Sequence, residues 1–119
     1  MTTKDIGQKL VDLCKVGKNR EAMEQLYAQD IVSIEAAAPP GKSPESKGRD
    51  GAIARNKEWE AEHEVKSAKV DGPYPNGDRF TVVFDFDLVR RSDKQPIHVH
   101  EVALYQVKND KIIREEFFY

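Results

Sequence analysis

Apolar residues at helical spacing predict two short helices in the first quarter of the chain. The first stripe consists of Ile6, Leu10, Leu13 and Cys14, whose spacing keeps them on one helical face. Thr2 and Asp5 form a capping-box pattern at its start, and Gly17 is a suitable stop. Asn19 is placed to cap the second helix. The apolar side of that helix consists of Ala22, Met23, Leu26 and Tyr27.

The pattern then predicts a strand, a loop and a third helix. Residues 31–36 are rich in β-branched side chains and favour a strand. Residues 37–48 contain three prolines and two glycines and are expected to hold no regular element. Asp50 is placed to cap a helix that runs to about Glu62. One face of this helix carries Ala52, Asn56, Trp59 and His63, and the opposite side carries Arg55, Lys57, Glu58 and Glu62.

The second half of the chain alternates in polarity and predicts four strands. They cover residues 65–70, 79–91, 96–107 and 111–119. Turn-forming residues fill positions 72–78, and Asn109-Asp110 is a tight connection. Helices crowd the front of the chain and strands the back, which is typical of an α+β domain. We therefore expect a single domain over residues 1–119, with three helices packed on one face of a curved, mostly antiparallel sheet.

The alternation also predicts which side chains face the helices. In the strand at 79–91 the inner set is Phe80, Val82, Phe84, Phe86 and Leu88. In the next strand the more apolar set is Ile97, Val99, Ala103, Tyr105 and Val107, and Glu101 lies in its middle. For the last strand, the length of the preceding turn decides which side chains face the helices. A three-residue turn at 108–110 turns Ile113, Glu115 and Phe117 to the side of Glu101, and a two-residue turn reverses this.

Composition and charge exclude several classes of protein. The chain has 119 residues, of which 34% are charged, and a formal net charge of −2. Its basic residues are scattered among acids, so we expect no nucleic-acid partner. No secretion-signal pattern is visible at the start, and no apolar run approaches the roughly 20 residues of a membrane span. We expect a cytoplasmic protein with no membrane partner, in which the lone Cys14 is a small buried hydrophobe.

Three segments resemble a known family. Residues 27–35 (YAQDIVSIE) resemble the end of the second helix and the first strand of the NTF2-like superfamily. Residues 48–59 resemble its third helix, and residues 105–119 (YQVKNDKIIREEFFY) its final hairpin. The similarity is greatest to the SnoaL-like branch, which includes polyketide cyclases and relatives of ketosteroid isomerase. It implies a cone-shaped α+β fold, an apolar pocket between helices and sheet, and a homodimer packed through the outer sheet face.

The resemblance also carries over individual positions. Glu35 falls where isomerase-type members place a general-base carboxylate. The position of their second acid, which donates a hydrogen bond to the developing oxyanion, falls on Ala103. Glu101 lies one inward step away on the same strand and is a displaced source of a carboxyl group, not a motif match.

These observations define a candidate site. The catalytic candidates are Glu35, Glu101 and Glu115, whose pKa values would rise in an apolar pocket. The alternative is that one or two of them lie solvated at the rim or pair with Arg79 or Arg114. The candidate contacts of a small hydrophobic ligand are Tyr27, Asn56, Trp59, His63, Phe84, Phe86 and Phe117. For His63, the interpretation that it only ends the helix is favoured.

A second polar cluster is predicted on the outer face of the sheet. His98 and His100 lie opposite Asp85 and Asp87 in the inferred strand pairing. Two imidazoles and two carboxylates are suitable metal ligands. The same face is the expected dimer surface, so cross-strand pairs are favoured, and we predict neither a metal nor a cofactor.

Two functions remain open at this point. One is an isomerase or cyclase that uses Glu35 as general base and needs no cofactor. The other is a non-catalytic ligand-binding or dimeric assembly module. Ala103 in place of the second acid favours the latter, and the fold alone does not decide because it hosts both classes.

Overall fold

The computed structural model describes residues 1–119 and contains three helices and six strands. The helices are α1 (Thr3–Lys15), α2 (Asn19–Leu26) and α3 (Arg49–Glu62). The strands are β1 (Tyr27–Ile34), β2 (Glu45–Lys47), β3 (His63–Asn76), β4 (Arg79–Arg90), β5 (Pro96–Lys108) and β6 (Lys111–Phe118). The strand order is β2-β1-β6-β5-β4-β3, and all pairs are antiparallel except β1 with β6. The predicted α+β architecture, with helices on one face of a mostly antiparallel sheet, is confirmed.

The core lies between α1, α2 and the inner sheet face. α1 begins with the predicted capping box of Thr2 and Asp5. The apolar side chains of α1 and α2 pack against Phe80, Val82, Phe84 and Tyr105 in one buried cluster. Gly7 lets α1 approach the sheet, because a Cβ atom there would lie 2.7 Å from Cβ of Pro73. Cys14 is buried, as predicted.

The junction of α2 and β1 differs from the prediction. Lys18, not Asn19, is the N-cap of α2, and the helix receives no side-chain cap. Tyr27 was assigned to the apolar side of this helix, but its backbone is extended and it starts β1, four residues before the predicted strand. Tyr27 is nevertheless buried, since the same side chain completes the core from either element.

The proline-rich loop also contains a strand that the sequence did not predict. β2 pairs with residues 32–34 of β1, and Gly48 N–H donates to the Ile31 carbonyl at 2.8 Å. Without β2, β1 would be the edge strand and its backbone groups at residues 32–34 would be unpaired. The three residues of β2 cover that part of the edge. At the start of α3, Gly48 is the N-cap, and Asp50 lies in the first helical turn instead of capping it.

β3 is longer than the predicted strand at 65–70. It runs from His63 to Asn76, through the segment that was assigned to a turn. Two prolines are tolerated because β3 is the edge strand and needs hydrogen bonds on one side only. The pairing with β4 shifts between Asp71 and Tyr74, which accommodates Gly72 and Pro73.

The β5–β6 hairpin places Glu115 on the inner face of the sheet, although its turn is not the three-residue turn that predicted this. Its turn has two residues, Asn109 and Asp110, both with positive φ, and such a turn alone would point Glu115 outward. However, Val107 pairs with Ile112 and Gln106 with Arg114, so Ile113 is an unpaired bulge residue. The bulge restores the facing that a three-residue turn would give. Glu115 and Phe117 therefore lie opposite Tyr105 and Ala103 on the inner face, and Ile112, not Ile113, is the buried isoleucine.

Candidate functional site

A cavity of about 510 Å³ lies between the helices and the inner face of β4, β5 and β6. Its volume is in the range of small-molecule sites. Of the residues predicted for the site, those that line it are Tyr27, Glu35, Asn56, Trp59, Phe84, Phe86, Glu101, Glu115 and Phe117. The three candidate carboxyl groups thus open on one cavity. Neither Arg79 nor Arg114 pairs with any of them.

Glu115 is the deepest of the three carboxyl groups. Its side chain is almost fully buried, at 2% exposure. Ser33 pairs with it across the parallel β1–β6 contact and donates a hydrogen bond at 2.8 Å. The Tyr27 hydroxyl donates to the other carboxylate oxygen. Burial raises the pKa of Glu115 to about 7, although the hydrogen bonds from Tyr27 and Ser33 oppose the rise.

Glu101 has a different environment. It lies in the middle of β5, opposite Phe84, and is half-buried. No protein group forms a hydrogen bond or an ion pair with its carboxyl group, in contrast to Glu115. Burial raises the pKa of Glu101 to about 7, and the nearby Glu35 and Glu115 charges add to the rise. At neutral pH this carboxyl group is present in both its neutral and its ionised form.

Glu35 lies at the mouth of the cavity. It follows the last residue of β1 on the same side of the chain as Ser33 and is half-buried. The Tyr119 hydroxyl donates to Glu35 Oε2 at 3.1 Å. Tyr119 and Pro39 also line the cavity, so the mouth is formed by the loop after β1 and the end of β6.

Aromatic rings form one wall of the cavity. Phe86 lies 6.0 Å from Trp59 and 5.7 Å from Phe84, measured between ring centroids. These contacts hold Trp59 of α3 against β4 with part of its surface open to the cavity.

His63 is the one predicted ligand contact that does not line the cavity. Its ring stacks on Trp59 at 5.2 Å, and its Nδ1 lies 3.0 Å from the Trp59 carbonyl oxygen. His63 therefore lies at the end of α3 and packs against the Trp59 ring. This agrees with the interpretation that it only ends the helix.

Several lining residues were missed by the sequence analysis. Arg55, Glu58 and Glu62 were assigned to the outer side of α3, but all three line the cavity. The helix presents a broad edge to the cavity mouth, so a single stripe was too narrow a criterion. Ser33 does not line the cavity but donates to Glu115, and it was detectable because it alternates with Ile31 and Glu35 along β1. Tyr105 was placed on the inner face and lines the cavity floor.

One acceptor in the cavity wall has no donor. Asn56 Oδ1 is shielded from solvent and receives no hydrogen bond from the protein. Buried polar atoms are normally paired, so Asn56 Oδ1 is an exception; having almost no accessible surface, it is not open to a ligand in the cavity.

The outer-face cluster forms the predicted cross-strand pairs. His98 Nδ1 lies 2.9 Å from Asp87 Oδ1, and His98 Nε2 lies 3.1 Å from Asp85 Oδ1. His100 Nδ1 lies 3.2 Å from Asp85 Oδ2. No group of three or more His, Cys, Asp or Glu side chains is arranged to hold a metal ion. The expectation that the protein works without a metal or cofactor stays a prediction.

The architecture agrees with the comparison to known proteins. A family model described as the SnoaL-like domain matches residues 1–119. The chain belongs to the SnoaL-like family. A structure from Mesorhizobium loti, of a protein assigned as a SnoaL-like polyketide cyclase, is 38% identical to this SnoaL-like protein. Its TM-score is 0.93, and the match covers 100% of both chains.

Two further structures share the fold of this SnoaL-like protein. An NTF2-like protein from Burkholderia thailandensis has a TM-score of 0.82 at 18% identity, over 99% of this chain and 90% of that one. A protein from Bacillus subtilis assigned as an isomerase has a TM-score of 0.79 at 15% identity, over 98% of this chain and 88% of that one. No curated protein matches the sequence. None of the three helices has the length and apolar character needed to cross a membrane.

Proposed function

We propose that this SnoaL-like protein is an isomerase or cyclase that moves a proton next to a carbonyl group of a small, largely apolar compound. The observation that supports this most is that two carboxyl groups open on the same cavity. Glu35 lies at its mouth, where it accepts a hydrogen bond from Tyr119, and Glu101 has no partner in the protein. A base and a neutral acid on one cavity are what enolisation requires.

In the proposed reaction, the Glu35 carboxylate removes the proton from the carbon next to the carbonyl group. The C–H electron pair forms a carbon–carbon double bond, and the negative charge moves to the carbonyl oxygen to give an enolate. The neutral form of Glu101 donates a hydrogen bond to that oxygen. Return of the proton from Glu35 to a different carbon gives an isomer. In a cyclase, the enolate carbon forms a bond to a second carbonyl carbon, the π electrons of that carbonyl move to its oxygen, and the new alkoxide takes the proton that Glu35 removed. Neither route needs a cofactor.

The two remaining parts of the site have supporting roles in this proposal. Both oxygens of Glu115 already accept hydrogen bonds from Tyr27 and Ser33, so Glu115 is less available to substrate than Glu101. Its nearby charge helps to raise the pKa of Glu101. Trp59, Phe84 and Phe86 supply an apolar wall for a flat substrate.

The test is proton exchange at carbon. The protein is incubated in D₂O with a panel of cyclic ketones and diketones, and deuterium uptake next to the carbonyl group is followed by NMR. We expect Glu35→Gln to reduce the rate by roughly 10²-fold or more, and Glu101→Leu by about 10²-fold. Glu24→Gln is the matched control, because Glu24 is an exposed glutamate of α2 outside the cavity. Equal rates in all variants would contradict the proposal.

A non-catalytic binding role is the second candidate, and Ala103 favours it. This residue is completely buried and stands where the resemblance places the second acid. Ligand binding by the wild-type protein without any exchange in the ketone panel would support this alternative.

We also propose that the protein is a homodimer packed through the outer sheet face. Val83, Val102 and Leu104 are half-buried on that face, and Phe118 is 49% exposed. An apolar sheet face of this kind suits a symmetric partner. Light scattering is expected to give twice the mass of one chain, and Leu104→Glu is expected to reduce it to that of one chain. A monomer mass for the wild type at micromolar concentration would contradict the dimer.

A further inference from the structure

The charge of the cavity differs from that of the rest of the protein. Five glutamates and one arginine line it, which gives a formal charge of −4, whereas the whole chain carries −2. Arg55, the one cation, forms no ion pair. Glu35, Glu58 and Glu62 lie at the mouth, while Glu101 and Glu115 lie further in. The lining thus favours a positively charged ligand over a neutral or negative one.

The walls suit the same kind of ligand. Seven aromatic side chains line the cavity, and Trp59 and Phe84 each contact Phe86. The face of an aromatic ring carries partial negative charge, so an organic cation is attracted to it, and the attraction is strongest in a desolvated site and for Trp. An apolar neutral ligand would use the rings but not the carboxylates.

An unpaired carboxyl group points to a ligand that donates hydrogen bonds. Glu101 opens on the cavity and has no hydrogen-bond partner in the protein. An N–H group on a positively charged nitrogen supplies a donor and a compensating charge together.

We propose that the substrate of this cavity is a carbonyl compound that also carries a protonated amine. The inference rests on the proposed function, because the same cavity binds both groups. It also removes a difficulty in that function. An enolate formed among ionised carboxylates is repelled by them, whereas an enolate that carries its own ammonium group is neutral overall and is repelled less.

The experiment compares two probes of the same shape. Dimethylaminoethanol is protonated at neutral pH, and isopentanol replaces its N–H group by C–H. Trp59 is the only tryptophan and lines the cavity, so its fluorescence reports binding of either probe. We expect the protein to bind the amine at least tenfold more tightly than the alcohol. Glu101→Gln is expected to reduce that preference severalfold without changing alcohol affinity, and Glu24→Gln is expected to leave both affinities unchanged.

The outcomes separate this inference from the proposed function. A purely apolar cavity would prefer the alcohol, because the ammonium ion loses more hydration on entry. Preference for the alcohol, equal affinity, or no binding of the amine overturns the inference, even if ketone exchange persists. Preference for the amine without exchange in either the neutral ketones or an amino ketone supports the inference on ligand charge and contradicts the proposed reaction. If Glu101→Gln does not fold, the amine-to-alcohol preference of the wild type still tests whether the cavity favours a cation. Glu35→Gln then takes the place of Glu101→Gln as the variant.

Discussion

His100 and Glu101 are neighbours in β5, yet their side chains lie on opposite faces of the sheet in contrasting surroundings. On the outer face, His98 and His100 pair with Asp85 and Asp87 in an exposed cluster. On the inner face, Glu101 opens on a cavity and has no partner. The two faces thus give the same chemical group, a carboxyl, opposite properties.

The carboxyl groups respond to these surroundings in opposite directions. A hydrogen bond from His98, with a second from Ser67, lowers the pKa of Asp87. Burial raises the pKa of Glu101 and of Glu115 to about 7. Solvent and partners stabilise the charged form outside, whereas desolvation destabilises it inside. The sheet therefore separates the paired charges of the outer face from the carboxyl groups of the cavity by the thickness of one strand.

The two faces are expected to differ most in the free energy of unfolding that is lost when a carboxyl side chain is truncated to alanine. Glu115→Ala leaves the buried hydroxyl groups of Tyr27 and Ser33 without an acceptor and opens a void. We expect a loss of about 3 kcal/mol in the free energy of unfolding, measured by urea denaturation. Made in the monomeric Leu104→Glu background, Asp87→Ala on the outer face is expected to change it little, because its side chain is 60% exposed in the single chain. A larger loss for Asp87→Ala than for Glu115→Ala would contradict the comparison.

The next effect is a dependence of stability on pH. The pKa of Glu101 is about 7 in the folded protein and near 4.5 when unfolded. Between these values the folded protein binds more protons, so the free energy of unfolding falls as pH rises. We expect Glu101 to contribute a decrease on the order of 2 kcal/mol between pH 5 and 8, and Glu101→Gln to remove it. The groups that face Glu101 are Glu35 and Glu115, which raise its pKa, and Arg55 lies on the same cavity.

A wild-type protein that becomes more stable from pH 5 to 8 would contradict this prediction. His98 acts in the same direction for a different reason, because Asp87 and Asp85 raise its pKa. Its stabilising charge is present below its unfolded pKa and is lost as pH rises through the folded value. Glu115 acts in this direction too, because burial raises its pKa to about 7. The His98→Gln and Glu101→Gln variants each measure one contribution, and the decrease that remains when both are made includes that of Glu115.

A smaller gain is expected when the unpaired carboxyl group is replaced. Glu101→Leu removes a charge that the fold does not compensate, so we expect about 1 kcal/mol more stability at pH 8 and no gain at pH 5, measured by urea denaturation. Binding of the cationic probe is expected to be lost. Unfolding of Glu101→Leu would mean that Glu101 belongs to a structural pair after all. Glu24→Leu is the control, since it removes an exposed glutamate far from the cavity.

The smallest expected effect concerns salt. At 1 M salt the screening length is about 3 Å, so the exposed His98 pair is weakened and its pKa falls towards the ordinary value. The pKa of Glu101 is expected to change little, because burial is its main cause. NMR titration of both groups at low and high salt measures this. Equal salt responses on the two faces would contradict the distinction between them.

The parts of the fold that follow a period were predicted well from the sequence. The even positions of residues 80–88 identified the inner face because alternate residues of a strand share a side, and Glu101 followed from the same pattern. The segments with irregular backbone were not predicted. Gly72 and Pro73 suggested a turn, but the edge position of β3 tolerates them. Arg55, Glu58 and Glu62 reach the cavity because α3 presents a broad edge to its mouth, and no one-dimensional stripe contains that information.

The bulge at Ile113 has a consequence for how the hairpin can vary in length. Ile113 has no partner on β5, so a chain that lacked it would still pair Tyr105 with Glu115 across a regular ladder. A chain that kept all its residues but slipped into the regular register would instead turn Arg114 and Glu116 towards the cavity. In evolutionary terms, this position tolerates the loss of one codon without changing the chemistry of the cavity, whereas a deletion beyond it, between Glu115 and Phe118, would turn the residues that follow to the opposite face.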